Sequence, residues 1–520
     1  MALTTTLLPV DLSLPPKFSQ WRPGQWECVD TTTATDKRFV AAAIPTGGGK
    51  SLYGVASALL LGGRCIYVTS SKALQDQLRE DFASCGMVDM RGRSNYHCSQ
   101  VHGSCSEGRI LECRALSCAY QSARAEFSEA PLALTNYAYY LSSVIHSEGV
   151  GDMDTLILDE AHSAVQELSN AIEIHVPHFQ FDRIYNTLNT RPPYQSNTLA
   201  EWRTWAKITA QKAAEYLAQV KRKRDTRNLG LADHFHSTVS RLAEVPESWI
   251  LDKSNSAETV IAPLWPTEYA SKYLFGNAGK VILSSATLVP KTLELLGVPE
   301  SEYIFLSQDN VFPKHKAPVY VFGRTRVDHK MSNGDWQQVV GCVDTFIKNR
   351  LDRKGIIHTV SYALQERLLR DSEHNHLMIA PKNSKEFSAS LEEFRRSPSP
   401  AIFVSPAATT GYDFPGKQCE YQVLLKLPFI DTRGPIMKAR TEKDPEYASY
   451  LTAQTLVQTC GRGMRSSQDQ CENFIVDAHA RWFFQPKEKR GCRHLLPGWF
   501  TKQIQYTDYQ PEPLQPLPED

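Results

Sequence analysis

The sequence predicts an α/β protein built as two domains in tandem, and three observations predict it. Its 520 residues exceed what one hydrophobic core organises. Short β-branched or apolar runs alternate with amphipathic stretches at 38–44, 65–69, 132–135, 155–158 and 281–284, the pattern of a parallel sheet covered by helices. A second set at 355–359, 401–404, 421–427 and 473–476 follows the loop-like segment 307–318.

With 42% hydrophobic and 22% charged residues the composition is that of an ordinary globular chain. The 57 basic residues balance the 57 acidic ones, which excludes a globally polybasic nucleic-acid binder and leaves any polyanion to a local patch. No apolar run reaches the length of a membrane span; the stretch 52–61 is too short. Residues 1–18 carry Asp11, Pro9, Pro15 and Pro16 and begin without Lys or Arg, so a soluble chain without a signal peptide is expected. The 12 cysteines are therefore read in a reducing compartment, where clustered thiols suggest metal and not disulfides.

Two segments interrupt the rhythm of the first domain. Residues 91–122 are rich in Cys, Ser, Gly and Arg with little periodicity, and 163–263 are mostly helical in pattern, with Trp202, Trp205, Ile208, Ala213 and Tyr216 at helical spacing. Both read as insertions. The segment 506–520, with four Pro and four acidic residues, is expected to lie as a flexible tail.

The strongest local signal is AIPTGGGKS, from Ala43 to Ser51, between an apolar run and a helical one. Thr46 and the glycines at 47, 48 and 49 let backbone N–H groups curl around phosphates, Lys50 supplies a point charge and Ser51 can hold magnesium. Ile44 stands where the strict motif has its first glycine. LILDEAH, from Leu156 to His162, adds an acidic pair at the end of an apolar strand: Asp159 to reach magnesium and Glu160 to orient or deprotonate water. In QTCGRGMR, from Gln458 to Arg465, Arg462 and Arg465 stand three apart on one face of an expected helix, suited to negative charge on a transferring phosphoryl group.

Arg22-Pro-Gly-Gln25, IPTGGGKS, DEAH, Ser284-Ser285-Ala286-Thr287, the segment Thr410-Gly411-Tyr412-Asp413-Phe414-Pro415-Gly416 and QTCGRGMR stand in the order seen in superfamily 2 helicases. Over about residues 18–485 the chain resembles the XPD and DinG branch of iron–sulfur DEAH-box helicases. The resemblance implies two RecA-like P-loop domains, the first from 1–90, 123–162 and 264–305 and the second from 306–505. A metal-cluster insertion at 91–122 and an arch-like insertion at 163–263 would interrupt the first. It implies ATP and Mg2+ between the domains, a DNA track across their tops and 5′ to 3′ translocation. Arg22 and Gln25 would recognise the adenine end, Asp413 would join the nucleotide site, and Gln458 would contact the γ-phosphate or its water. Arg462 and Arg465 match arginine fingers. Thr69, Ser70 and Lys72 in the first domain and the segments 358–362 and 409–413 in the second, with Ser361, Tyr362 and Thr410, would track the nucleic-acid backbone. Residues 284–287 would couple nucleotide state to the DNA side.

Cys98, Cys105, Cys113 and Cys118, separated by six, seven and four residues, match the ligand count of an iron–sulfur cluster or a structural zinc. At this position the resembled branch carries a 4Fe-4S cluster. His97 and His102 stand near as competing ligands. A cluster would staple a small insertion without a core of its own, and with Arg91, Arg93, Arg109, Arg114 and Arg124 around it the knob could act as a wedge against DNA phosphates. In the arch-like segment, residues 221–224 (KRKR) read as a solvated face or a phosphate contact.

The expectation is an ATP-dependent helicase acting on single-stranded and forked DNA, with a place in DNA repair and no membrane partner; its protein partners are not legible. A nucleic-acid-stimulated ATPase that translocates without parting strands is the alternative, and a metal-stapled nucleic-acid-binding protein with a nucleotide switch a third. A cytoplasmic location in a bacterial or virus-infected cell is expected, or a nuclear one in a eukaryote.

Overall fold

The computed structural model describes residues 6–101, 103–113, 118–146, 149–276, 278–309, 313–407, 412, 414–464 and 468–518. Two seven-stranded sheets, parallel throughout, organise it. The first contains β1 (Phe39–Ala43), β2 (Cys65–Thr69), β3 (Met87–Asp89), β4 (Leu132–Asn136), β5 (Thr155–Asp159), β6 (Lys280–Ser285) and β7 (Tyr303–Ser307), in the order β7-β1-β6-β5-β2-β4-β3. Strands β1, β2, β4 and β5 are buried at every position, as strands covered on both faces must be.

The second contains β8 (Val319–Thr325), β9 (Gly355–His358), β10 (Met378–Ile379), β11 (Ile402–Ser405), β12 (Tyr421–Leu424), β13 (Glu472–Asp477) and β14 (Ile504–Tyr506), in the order β10-β11-β9-β12-β13-β8-β14. The chain is thus two RecA-like α/β domains, as the alternation predicts. The strands absent from the sequence reading are β3, β7, β8, β10 and β14. Four of these are edges, short or partly exposed, so they lack the continuous apolar run that marks an interior strand.

Between β5 and β6 the chain is not purely helical. The helices Leu199–Arg222 and Thr226–Glu244 stack on each other, but Ile174–Pro177, Glu258–Ala262 and Ile250–Asp252 form a three-stranded antiparallel sheet at their base. Trp202, Ala206 and Leu242 pack on Ile174, Val176 and Ile261, closing a small core. Pairing between residues more than seventy apart leaves no local periodicity to read.

The segment from 506 onward is also better held than its composition suggests. Tyr506 completes the edge strand beside Val321, and Arg353 Nη1 donates to Leu514 O at 2.7 Å. Leu517 N donates to Glu420 Oε1 at 2.8 Å. A proline-rich extended chain has few backbone donors to satisfy and can lie along a domain through its carbonyls.

Candidate nucleotide site and nucleic-acid face

Register brings the sequence motifs together. In the first sheet Ala42 pairs with Ser284, and Ser284 with Asp159. The Gly-rich loop after β1, residues 284–287 at the end of β6 and the acidic box at the end of β5 therefore open along one carboxyl edge, where α/β sheets bind ligands.

Gly47 (φ +76°) and Gly49 (φ +84°) adopt left-handed backbone, and the helix Lys50–Leu61 begins at once. A Cβ on Gly48 would lie 2.6 Å from Ile44 Cγ2, so the isoleucine that departs from the strict motif is accommodated by a neighbouring glycine. Gln25 is fully buried; its Nε2 donates to Gly49 O at 2.8 Å, and its Oε1 accepts from Arg22 N at 2.9 Å. It braces the loop to the Arg22 turn, with the Arg22 side chain exposed beside it. Gln308, which the sequence reading missed, donates to Pro23 O at 2.5 Å from the far side.

In the acidic box, Glu160 has left-handed backbone (φ +49°), a strained conformation of the kind that gathers at functional sites. Its N–H donates to Asp159 Oδ1 at 3.0 Å. Lys50 Nζ stands 3.4 Å from Glu160 Oε1. Burial, reinforced by Glu160, raises the Asp159 carboxyl to about 7. Burial pushes Glu160 the same way, but Lys50 and His162 overcome it and hold the group well below the usual carboxylate range. A buried carboxylate penalised in this way, at the same carboxyl edge as the Ser51 hydroxyl, which like it acts on Tyr67, fits a divalent cation: hard oxygen donors whose negative charge needs neutralising. Beneath them Tyr67 on β2 is buried, and burial with Asp159 and Glu160 pushes its phenol well up.

His162 joins the two domains. Its Nδ1 is 2.7 Å from Ser285 Oγ and 3.2 Å from Glu160 Oε2, and Ser285 Oγ donates to Glu160 Oε2 at 3.2 Å. Its Nε2 lies 2.5 Å from Gln458 Nε2, on the helix Tyr447–Cys460 of the second domain. With the Gln458 amide donating, Nε2 accepts and Nδ1 carries the proton toward Ser285. Gln454 Nε2 donates to Thr287 O at 2.9 Å, Trp499 Nε1 to Ala286 O at 2.7 Å, and Lys291 pairs with Asp444 at 2.8 Å. Residues 284–287 are thus gripped from the second domain by Gln454 and by Trp499, which no motif marked.

The arginine motif differs from expectation. The helix ends at Cys460 and residues 461–463 turn, so Arg462 is presented by a turn and not by a helix. Gly461 and Gly463 flank it, and a Cβ on Gly463 would come 2.6 Å from Cys471 Sγ. Arg462 Nη1 donates to Tyr412 O at 2.9 Å, and Phe414 N donates to Arg462 O at 3.2 Å. Arg465, Asp413 and Thr410 lie outside the described residues.

Of the expected backbone-tracking residues, Thr69, His358 and Thr359 are buried and turned from the surface, because each ends or follows an interior strand. Ser70, Lys72, Ser361 and Tyr362 remain at least partly accessible. Ser361 Oγ accepts from Leu364 N at 3.3 Å as a helix cap, after Val360 in left-handed backbone at φ +65°. Lys72 Nζ donates to Asn95 Oδ1 at 3.0 Å and lines a cavity of about 540 Å³. Arg93, Asn95, Arg109, Tyr139 and Asp233 line it too, so the Cys-rich segment, the first domain and the long helices meet there.

Cys98 and Cys105 are buried, Cys118 half-buried and Cys113 exposed. Cys98 and Cys113 Sγ are 3.9 Å apart over Gly108, whose Cβ would lie 2.7 Å from Cys98 Sγ. Burial raises the Cys105 thiol, opposed by Arg93, with Cys98 and Cys118 within electrostatic range. Cys98 and Cys113 stand close as soft donors, but among the described residues no three His, Cys, Asp or Glu groups stand in a metal-holding arrangement. Residues 114–117, which join two of the cysteines, lie outside the described residues, as does His102. Arg91 is engaged by Asp76 and Asp89, Arg109 stands 3.9 Å from Asp233, and Lys221 3.2 Å from Glu112. No helix among the described residues is long and apolar enough to cross a membrane.

Such a pair of sheets, with a phosphate loop and acidic box facing a helix from the second domain, defines an ATP-dependent nucleic-acid helicase of superfamily 2. Residues 22–188 match the DEAD/DEAH box helicase family and 347–501 the helicase C-terminal domain, so both halves of a superfamily 2 helicase are present. The fold is similar to a solved XPD helicase (TM-score 0.67, 14% identity, covering 94% of this chain and 99% of that one). An apo XPD structure gives a TM-score of 0.62 at 13% identity, covering 90% and 98%. Xpd4 of S. tokodaii gives 0.60 at 13% identity, covering 94% and 100%. No curated protein matches the chain.

Proposed function

We propose that this helicase acts on DNA, moving 5′ to 3′ along a single strand and coupling ATP hydrolysis to separation of a duplex ahead of it. The observation that carries the reading is the His162 bridge: one side chain touches the expected water-positioning Glu160 and, across the cleft, Gln458. Closure of the domains and competence for hydrolysis are then one event.

In this reading the Gly47–Gly49 backbone and Lys50 cradle the phosphates, and Arg22 and Gln25 hold the adenine end. Ser51 and Asp159 hold magnesium, whose charge would neutralise the phosphates during transfer. Glu160, kept ionised by Lys50 and His162, orients the attacking water, while Arg462 and Arg465 stabilise charge from the second domain. Ser70, Lys72, Ser361 and Tyr362 meet the strand.

Four cysteines within 21 positions of a small insertion, two of them 3.9 Å apart at sulfur, support a 4Fe-4S cluster held by Cys98, Cys105, Cys113 and Cys118; bound there, it would supply a rigid staple. Unwinding of 5′-tailed and 3′-tailed duplexes with ATP tests the proposal. Opening of the 5′-tailed substrate is expected. Preference for the 3′ tail would overturn the direction, and hydrolysis without strand displacement would leave a translocase. Iron and sulfide analysis of anaerobically purified protein tests the cluster; stoichiometric zinc would refute it.

A further inference from the structure

Tyr67 lies in an apolar core with Tyr53, Val55, Leu134, Ile157 and Ile282, where a phenylalanine would serve packing equally well. Its ring is pressed under the nucleotide helix: a Cβ on Gly54 would come within 2.9 Å of Tyr67 Cε2. Strand register sets Tyr67 opposite Ile157, two residues before Asp159 and so on the same face of the sheet. The hydroxyl reaches the carboxyl edge beside Ser51, Asp159 and Glu160. It is buried there, in reach of the Ser51 hydroxyl but without a well-formed hydrogen bond to it or to any other group. A buried hydroxyl that falls short of a complete hydrogen bond costs about 1–3 kcal/mol, so retaining one in a core suggests a contact completed only in the working state.

We infer that Tyr67 is a positioning residue for the catalytic cation, its hydroxyl orienting the Ser51 hydroxyl and the Asp159 carboxylate that hold it. The inference rests on the assignment of Ser51 and Asp159 as cation ligands and extends it to a residue outside every motif. Groups that orient metal ligands from behind typically contribute about ten- to hundredfold in metal affinity.

The test is Tyr67→Phe, which removes one oxygen and keeps the ring. Binding of a fluorescent ADP is followed during titration with Mg2+, so that no turnover is needed, and thermal unfolding is recorded in parallel. The Mg2+ midpoint is expected to rise about ten- to hundredfold, while ADP affinity in EDTA stays as in the parent protein. A purely structural tyrosine would lower the melting temperature and leave the midpoint in place, which would overturn the inference. Ser51→Ala and Asp159→Asn separate the two levels. If they shift the midpoint and Tyr67→Phe does not, the inference alone fails; if neither shifts it, the cation assignment fails beneath it.

Discussion

Replacing Gln458 by alanine removes the second domain's hold on His162, and the structure sets the size of the effect. The contact is one hydrogen bond at 2.5 Å. Its loss leaves the partly buried His162 Nε2 without a protein partner and frees the ring to turn from Ser285 and Glu160. Leaving a polar group unsatisfied costs about 1–3 kcal/mol, which corresponds to roughly five- to 150-fold in rate if the bond is made only in the closed, hydrolysing state. The assay is ATP turnover at saturating single-stranded nucleic acid for Gln458→Ala, His162→Ala and the double variant. Because the residues act through each other, the double variant should be little slower than the more affected single one. If the two losses multiply instead, or Gln458→Ala turns over at the parent rate, His162 does not transmit closure to Glu160.

Glu160→Gln should still bind ATP but stall, whereas Lys50→Ala should weaken both nucleotide binding and turnover; near-normal turnover in Glu160→Gln would remove its assigned role. Acid should destabilise the second domain through His358, whose ring burial pushes down to about 4 from 6.5 although Gln422 supports the charged form. The native state keeps this ring neutral while the unfolded chain protonates it, so its contribution is full above pH 6.5 and is lost as pH falls toward 4. The loss amounts to about 3 kcal/mol, and His358→Gln should flatten melting temperature against pH over that window; an unchanged slope would refute it. Cys98→Ser should spare much of the strand-stimulated ATPase while abolishing duplex unwinding, since only the latter needs a rigid insertion. Persistent unwinding would sink the wedge.

The sequence alone determined the class of fold and named the residues proposed for the nucleotide site. Interior parallel strands are buried on both faces and must be continuously apolar, which makes β1, β2, β4, β5, β9 and β11 legible. AIPTGGGKS and LILDEAH are legible because phosphate and cation chemistry demands particular residues at fixed spacing along one stretch of chain. What depends on distant residues meeting was decided only by tertiary structure. Edge strands such as β3 and β7 exist because an interior strand offers them a partner. The helix before Arg462 stops at Cys460 although the pattern runs on, since Gly463 must pass against Cys471. Thr69 and His358 sit in motifs expected to meet the nucleic acid, yet the sheets bury them. Gln308, Trp499 and Tyr67 carry no motif at all. Each reaches the site across the fold, and a side chain's partners across the fold leave no periodicity in the chain that carries it.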